Sequence, residues 1–149
     1  MKLSTKGTYG MKAILDLALH SDGNPVAIKS IAERQNISEN YLEQLFAILR
    51  KSGLLQSIRG AQGGYILAKN PGKITAGLIL RILEGSLAPV HCVEENKPEA
   101  CNRSENCITK YVWAEIRDKI YDVVDSITLA DLVEEYNKQE SDKDFMYHI

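Results

Sequence analysis

Apolar residues recur at helical spacing through the first third of the chain and predict three successive helices. The first spans 5–20, and its inner face is Met11, Ile14, Leu15, Ala18 and Leu19. The segment SDGNP at 21–25 breaks it, and a short second helix with apolar positions 28, 31 and 32 ends near Asn36. Ser38 can cap a third helix, which Gly53 stops and whose inner face is Leu42, Leu45, Phe46 and Leu49.

The pattern then changes to LLQSIRGAQGGYILA, which predicts a hairpin. Residues 54–59 and 65–68 have strand composition, and the glycines between them permit a turn. Three helices followed by a glycine-tipped hairpin is the order of a winged helix-turn-helix. We therefore predict a mainly α fold in which residues 1–73 form a winged helix-turn-helix DNA-binding domain with a two-stranded wing.

The second half, 74–149, is predicted to hold a linker helix, a cysteine loop (85–107), a dimerisation helix (108–127) and a tail. Thr75 can cap the linker helix, which reaches Glu84. Thr128 and Asp131 have capping-box spacing and predict a short last helix. Apolar residues of the long helix step by three and four, the heptad pattern that favours pairing with a second copy: Trp113, Ile116, Ile120, Val123 and Ile127. The alternative is a helix packed on its own domain.

Charge is distributed unevenly between the two halves. Residues 1–73 hold ten Lys/Arg against five Asp/Glu, and residues 74–149 hold eight against fifteen, although the net charge is only −2. A basic first half favours a polyanionic partner, whereas chance clustering on a solvated surface is the plainer alternative.

No apolar run reaches the length of a membrane span, and no signal-peptide core follows Met1, so we expect a cytoplasmic protein with no membrane partner.

Catalytic motifs are not recognisable in the sequence. The histidines, His20, His91 and His148, are scattered, and the chain has no nucleophile elbow or phosphate-binding loop. Cys92 follows His91 directly, but sequence neighbours rarely present both side chains to one substrate. We therefore expect a protein that is not an enzyme.

Polar residues at the start of the third helix are candidates for reading DNA. A recognition helix places its N-terminal residues in the major groove, where Gln44 could pair with adenine and Glu43 with a cytosine amine. An arginine on the thin wing can enter a minor groove. The alternative is an ordinary solvated helix face. The candidate DNA-binding residues are Lys2, Ser38, Asn40, Tyr41, Glu43, Gln44, Lys51, Arg59, Gly60, Gln62 and Gly63.

All three cysteines, Cys92, Cys101 and Cys107, lie in one polar loop. In a reducing compartment such a loop favours a metal or redox site over a disulfide framework. The spacing lacks the paired knuckles of structural zinc, and its broad gaps suit an iron–sulfur cluster, which needs a fourth ligand that is not a cysteine. Redox switches, a zinc site and functionless remnants remain alternatives. The nearby candidates for the fourth ligand are His91, Glu94, Glu95, Glu99 and Glu105.

Three segments carry a family resemblance: MKLSTKGTYG, ISENYLEQLFAILRKSGLLQSIRGAQGGYILA and ITAGLILRILEG. Together they resemble the IscR/CymR-type winged-helix transcription regulators, which include iron–sulfur assembly regulators, nitric-oxide sensors and cysteine-metabolism repressors. The resemblance implies a homodimer that binds a pseudo-palindromic operator on double-stranded DNA, with the helix after the cysteine loop as the dimer helix. The three cysteines resemble those of the members that bind a [2Fe–2S] cluster.

The cysteine loop departs from the patterns of these members. The iron–sulfur assembly regulators have five residues in each gap, whereas the first gap here has eight, and Lys110 stands where they place a histidine. Thr8 stands where nitric-oxide sensors place an early carboxylate. The resemblance therefore carries over the three thiol ligands and leaves the fourth ligand unknown.

The segment ITAGLILRILEGSLAPV and the ending Met146–Ile149 resemble the cysteine-metabolism repressors, which carry no cluster and are controlled by complex formation with cysteine synthase. Serine acetyltransferases engage that synthase through a C-terminal isoleucine, and this chain also ends in isoleucine. We expect Tyr147, His148 and Ile149 to dock into cysteine synthase after a mobile acidic stretch. A frayed terminus is the alternative.

Overall fold

The computed structural model describes residues 2–96, 101–103 and 105–148. In chain order its helices and strands are α1 (Thr5–His20), α2 (Ile28–Gln35), α3 (Glu39–Lys51), β1 (Leu55–Ile58), β2 (Gly64–Leu67), α4 (Ala76–Glu84), α5 (Lys110–Ser126) and α6 (Leu129–Tyr147). Short 3-10 turns lie at Pro71–Lys73 and His91–Val93. The predicted winged helix-turn-helix, with a long C-terminal helix, is confirmed.

Local sequence signals set the geometry of the helix-turn-helix. Asn36 ends α2 with φ 53°, a left-handed conformation that asparagine tolerates better than most residues. Two residues later, the Ser38 side chain accepts a hydrogen bond from the Tyr41 amide at 3.1 Å and caps α3. The turn and the cap together fix the direction in which the recognition helix leaves α2.

The wing is a short antiparallel hairpin that is anchored to the body of the domain. Leu55 pairs with Leu67 and Ile58 with Gly64. β2 also bonds to Val26, since the Val26 amide donates to the Tyr65 carbonyl at 3.0 Å and the Tyr65 amide donates back at 2.9 Å. This second pairing holds the base of the wing, and the turn at its tip projects away from it.

The hydrophobic core includes residues from both halves of the chain. Ile14, Leu17, Leu42 and Phe46 are completely buried, and the Phe46 ring meets Tyr65 of the wing edge-on with 5.1 Å between the centroids. Four members lie beyond residue 73, namely Ile74, Ile79, Leu83 and Leu129. α4 and the start of α6 therefore share one core with the winged helix-turn-helix.

α6 corrects one expectation. We predicted a short last helix and a mobile acidic tail, but the helix has 19 residues and continues to Tyr147. The capping box between Thr128 and Asp131 is present as predicted. Residues 129–147 contain no glycine or proline, which would interrupt a helix. Side-chain hydrogen bonds between Gln139 and Glu135 and between Lys143 and Glu140 join residues four and three positions apart. The helix therefore continues beyond the part that packs on the core. Among the described helices, none is long and apolar enough to cross a membrane.

Candidate nucleic-acid interface

The first turns of α3 present a row of polar side chains to solvent. Ser38, Asn40, Glu43 and Gln44 are all exposed, while Leu42, Leu45 and Phe46 on the opposite face are buried. The burial alternates because the helix is amphipathic, and its inner face packs on α1, α2 and α4. The exposed side chains are those that we predicted to read base edges.

Tyr41 lies differently from its neighbours. Its side chain is half-buried, its hydroxyl lies 2.9 Å from Thr5 Oγ1, and its ring meets Tyr9 edge-on at 6.2 Å. Lys12 lies over the Tyr9 ring, 5.9 Å from its centroid. Tyr41 therefore connects the recognition helix to the first turns of α1, in addition to its predicted place on the DNA-binding surface.

The tip of the wing exposes Arg59 and Gln62 between β1 and β2. Gly60, at φ 114°, allows the turn to close, and the Gly63 amide donates to the Gly60 carbonyl at 3.0 Å. A side chain at Gly63 would overlap the Ile58 carbonyl, so a glycine there keeps the tip thin. A thin tip with one arginine has the shape and charge for a narrow groove.

The positive charge of the first half is largely unpaired. Of its ten Lys and Arg residues, Arg34 alone forms an ion pair within the described part of the chain. Lys2, Lys51 and Arg59 are exposed. Such charges attract a polyanion, since they are not already neutralised by protein carboxylates.

The cysteine loop is anchored at its start. Cys92 lies half-buried in the turn His91–Val93, and Val93 is buried. Arg117 of α5 donates to the Val93 carbonyl at 3.0 Å, and His91 Nδ1 lies 2.8 Å from Glu94 Oε1. These bonds fix the first thiol against α5. They also engage two of the candidate fourth ligands, His91 and Glu94, with each other.

The other two thiols are exposed. Cys107 lies just before α5, where its Sγ is 3.0 Å from Thr109 Oγ1, and this bond together with the Lys110 amide lowers the pKa of Cys107. Cys101 and Glu105 are exposed, and Glu99 lies outside the described residues. Among the described residues, no three His, Cys, Asp or Glu side chains are grouped to hold a metal ion. Thiolates are the usual ligands of iron–sulfur clusters, but among the described residues the three cysteines are not grouped into a metal site.

The apolar stripe of α5, here called the seam, is only partly covered: Trp113, Ile116, Ile120, Val123 and Ile127. No residue of α5 is buried, and Val123 is 58% exposed. Ile116, Ile120 and Val123 line a groove of about 550 Å³. Ile127 lies one residue past the helix, where its carbonyl accepts from the Ala76 amide at 2.8 Å.

The predicted tail residues Tyr147 and His148 are exposed at the end of α6, and Ile149 lies outside the described residues.

Two residues that position this surface escaped sequence reasoning. Asp16 is buried in α1 and bound by Arg34, and Glu84 of α4 binds the start of α1. Their partners lie 18 and 80 residues away in the chain, so no local spacing reveals them. The buried position of Asp16 on an otherwise apolar helical face is the one signal that could have been read.

The fold and the surface together define a winged-helix DNA-binding protein. Comparison with known proteins narrows this class, because the model of the Rrf2 family, described as an iron-dependent transcriptional regulator, matches residues 3–135. The chain belongs to the Rrf2 family of transcriptional regulators, which confirms the resemblance found in the sequence.

Relatives of both expected kinds are similar to the chain. The transcriptional regulator CymR of Bacillus subtilis is 46% identical over 132 residues, which are 89% of each protein. The solved structure of CymR, titled as the global cysteine regulator of B. subtilis, has a TM-score of 0.75 at 44% identity and covers 91% of this chain and 98% of that one. The structure of T. potens IscR has a TM-score of 0.74 at 50% identity and covers 91% and 88%.

Proposed function

We propose that the protein is a homodimeric transcriptional repressor that binds a pseudo-palindromic operator through α3 and the wing of each subunit. The observation that carries the proposal is the unpaired positive charge of the first half, on the same part of the chain as an exposed polar helix α3 and an arginine-tipped wing. Lys2 and Lys51 bind phosphates and set the register, whereas Gln44 and Glu43 contact base edges. Arg59 enters the adjacent minor groove.

Dimerisation occurs through the seam of α5. An apolar stripe at heptad spacing that its own subunit covers only partly is stabilised when a second copy covers it. A two-fold dimer places two recognition helices at a fixed separation, which matches the half-site spacing of a palindrome. Dimerisation through α5 is therefore required for both recognition helices to bind their half-sites at once.

The experiment selects operators from fragmented genomic DNA with the purified protein and then measures affinity for the selected duplex by fluorescence anisotropy. The proposal expects a palindromic site, tight binding in low salt, and an affinity that falls steeply with rising salt as counterions are released. A control duplex with one half-site scrambled should bind much more weakly. Equal affinity for both duplexes would refute operator recognition by a dimer.

The proposed sensor is the cysteine loop, with Cys92, Cys101 and Cys107 as ligands of a [2Fe–2S] cluster and a fourth ligand from elsewhere. Two observations support this sensor. All three thiols lie in one loop, which Arg117 of α5 holds at Val93. Relatives of the chain are named IscR. When bound, a cluster supplies a one-electron redox centre that responds to iron and oxidants. The target genes on this account are those of iron–sulfur cluster biogenesis or sulfur metabolism.

A second candidate mode of control involves the C-terminus. Tyr147 is 87% exposed at the end of a helix that projects beyond its buried part, and CymR relatives favour a cysteine-linked role. On this alternative the protein is a cluster-free repressor of cysteine metabolism, and Tyr147, His148 and Ile149 bind cysteine synthase. A free carboxylate on an apolar residue suits capture by backbone donors.

Anaerobic purification separates the two modes. A brown protein with sulfide-to-iron absorption bands, lost when Cys92 is replaced by serine, supports the cluster. A colourless protein with equimolar zinc supports a structural metal instead. If it is colourless and free of metal, co-elution with cysteine synthase decides the alternative, because deletion of the last four residues should then abolish the complex.

A further inference from the structure

The carboxylate of Glu84 fastens the beginning of α1. Its Oε1 accepts from the Ser4 amide at 2.8 Å, from the Ser4 hydroxyl at 2.7 Å and from the Gly7 amide at 3.0 Å. Amides in the first turn of a helix have no partner within the helix, so an acceptor from another element is the feature that satisfies them. Here that acceptor comes from the last residue of α4.

The two helices are in close contact at this point. A methyl group at Gly7 would lie 2.6 Å from Glu84 Oε1, and one at Gly10 would overlap Leu83. Glycines at these positions leave room for the Glu84 carboxylate and the Leu83 methyl groups to lie against α1. Because three hydrogen bonds and this close packing join the two helices, a shift of the end of α4 bears directly on the start of α1.

The start of α1 in turn supports the recognition helix. Thr5, which follows Ser4, bonds the Tyr41 hydroxyl at 2.9 Å, and Tyr9 packs against the same ring. Lys2 precedes the fastened turn and lines, with Leu3 and Glu84, a pocket of about 410 Å³. Two parts of the DNA-binding surface, Tyr41 and Lys2, thus depend on a turn that Glu84 holds.

On its other side, α4 is bound to the cysteine loop and to α5. Gly85, with φ 86°, follows Glu84 immediately and begins the loop. Arg81, one turn earlier, pairs with Asp125 of α5 at 2.6 Å and stacks on Tyr121 at 4.6 Å. Arg117 of the same helix holds the Val93 carbonyl of the loop. The end of α4 is therefore placed between the loop and the DNA-binding half.

We propose that Glu84 is a positioning residue for DNA binding, which couples the cysteine loop to the start of α1 and through it to Tyr41 of the recognition helix. This inference rests on the proposed operator binding and adds the contact that regulates it. It requires an acceptor oxygen at position 84, and it does not require a particular occupant of the loop.

The test compares Glu84→Gln, which keeps the Oε1 acceptor, with Glu84→Leu, which removes it. We expect Glu84→Leu to weaken operator binding about tenfold, because the amides and hydroxyl that Glu84 binds lose their acceptor, while Glu84→Gln keeps an acceptor and stays within about threefold of the wild type. Gly7→Ala should weaken binding like Glu84→Leu, and combining the two should add little, because both break the same contact. Glu134→Leu, on an exposed part of α6, is the matched control and should bind normally.

A readout of coupling distinguishes positioning from mere stability. Hydrogen exchange of amides 85–94 is followed with and without saturating operator DNA, because coupling between two sites is reciprocal. In the wild type and Glu84→Gln, DNA should slow exchange in this segment about threefold, and Glu84→Leu should abolish the slowing. If Glu84→Leu binds the operator with wild-type affinity, or if DNA still slows hydrogen exchange in that variant, the inference is wrong while the proposed function still stands. A wild type that selects no operator would instead overturn the proposed function on which it rests.

Discussion

Arg34 holds the buried carboxylate of Asp16 with two nitrogens, Nη2 lying 2.7 Å from Oδ1 and Nε 3.0 Å from Oδ2. The Asp16 side chain is 1% exposed, and Gln35 adds a third donor at 2.8 Å. The pair raises the pKa of Arg34, chiefly through its hydrogen bond to Asp16. Asp16 belongs to α1 and Arg34 to α2, so this ion pair fixes the first two helices of the winged helix-turn-helix against each other.

Replacing Arg34 with leucine should lower the free energy of unfolding by about 3 kcal/mol, because it leaves a buried carboxylate without its cation. Urea unfolding followed by circular dichroism measures the change. Arg50→Leu is the matched control, since Arg50 is an exposed helical arginine, and its effect should stay within about 0.5 kcal/mol. Equal stability of the two variants would show that the buried pair contributes little.

Gly64→Ala should destabilise the fold at the base of the wing. Gly64 has φ 155°, and a methyl group there would overlap the Val26 carbonyl, which bonds β2. We expect a loss of about 2 kcal/mol or more from strain and the displaced strand. Gly60→Ala, at φ 114° but facing open space, should cost about 1 kcal/mol. Urea unfolding should therefore give a lower midpoint concentration for Gly64→Ala than for Gly60→Ala. The reverse order would contradict this explanation.

The stability of the protein should fall in acid partly through Glu84. The Ser4 hydroxyl, and then the Gly7 and Ser4 amides and Lys6, lower the pKa of Glu84 against the opposing effect of burial. Its contribution is therefore complete above the pKa of an unfolded glutamate, about 4.3, and is lost as pH falls through the lower folded pKa. The stability difference between wild type and Glu84→Gln, measured from pH 7 downwards, should change only in that acidic window. A constant difference would show that the carboxylate has an ordinary pKa.

If the proposed dimer forms through the seam of α5, Ile120→Asp should convert it into a monomer, because a carboxylate would enter the apolar seam at its middle. Light scattering after gel filtration measures the mass. Asp122→Asn, on an exposed position of the same helix, should leave the dimer intact. A dimer that survives Ile120→Asp would place the subunit contact elsewhere.

The elements that the sequence predicted well are those with local signals. Ser38, Thr75 and Thr128 cap helices where we expected caps, and α1 has the predicted bounds. The length of α6 was missed, because its outer half has no apolar stripe and continues by propensity and paired charges. The Glu84 and Asp16 contacts were missed because they join residues that only the tertiary fold brings together. The ligands of the cysteine loop stay a prediction.

We propose that α3 and the wing bind the operator together, and a double variant tests this most directly. Anisotropy with the selected duplex should show that Gln44→Ala combined with Arg59→Glu weakens binding about a hundredfold or more, through lost base contacts and a reversed charge. The control variant Gln139→Ala with Lys138→Glu also removes one glutamine and reverses one positive charge, on exposed positions of α6, and should bind like the wild type. Affinity retained within about threefold in the Gln44 and Arg59 variant would contradict the account.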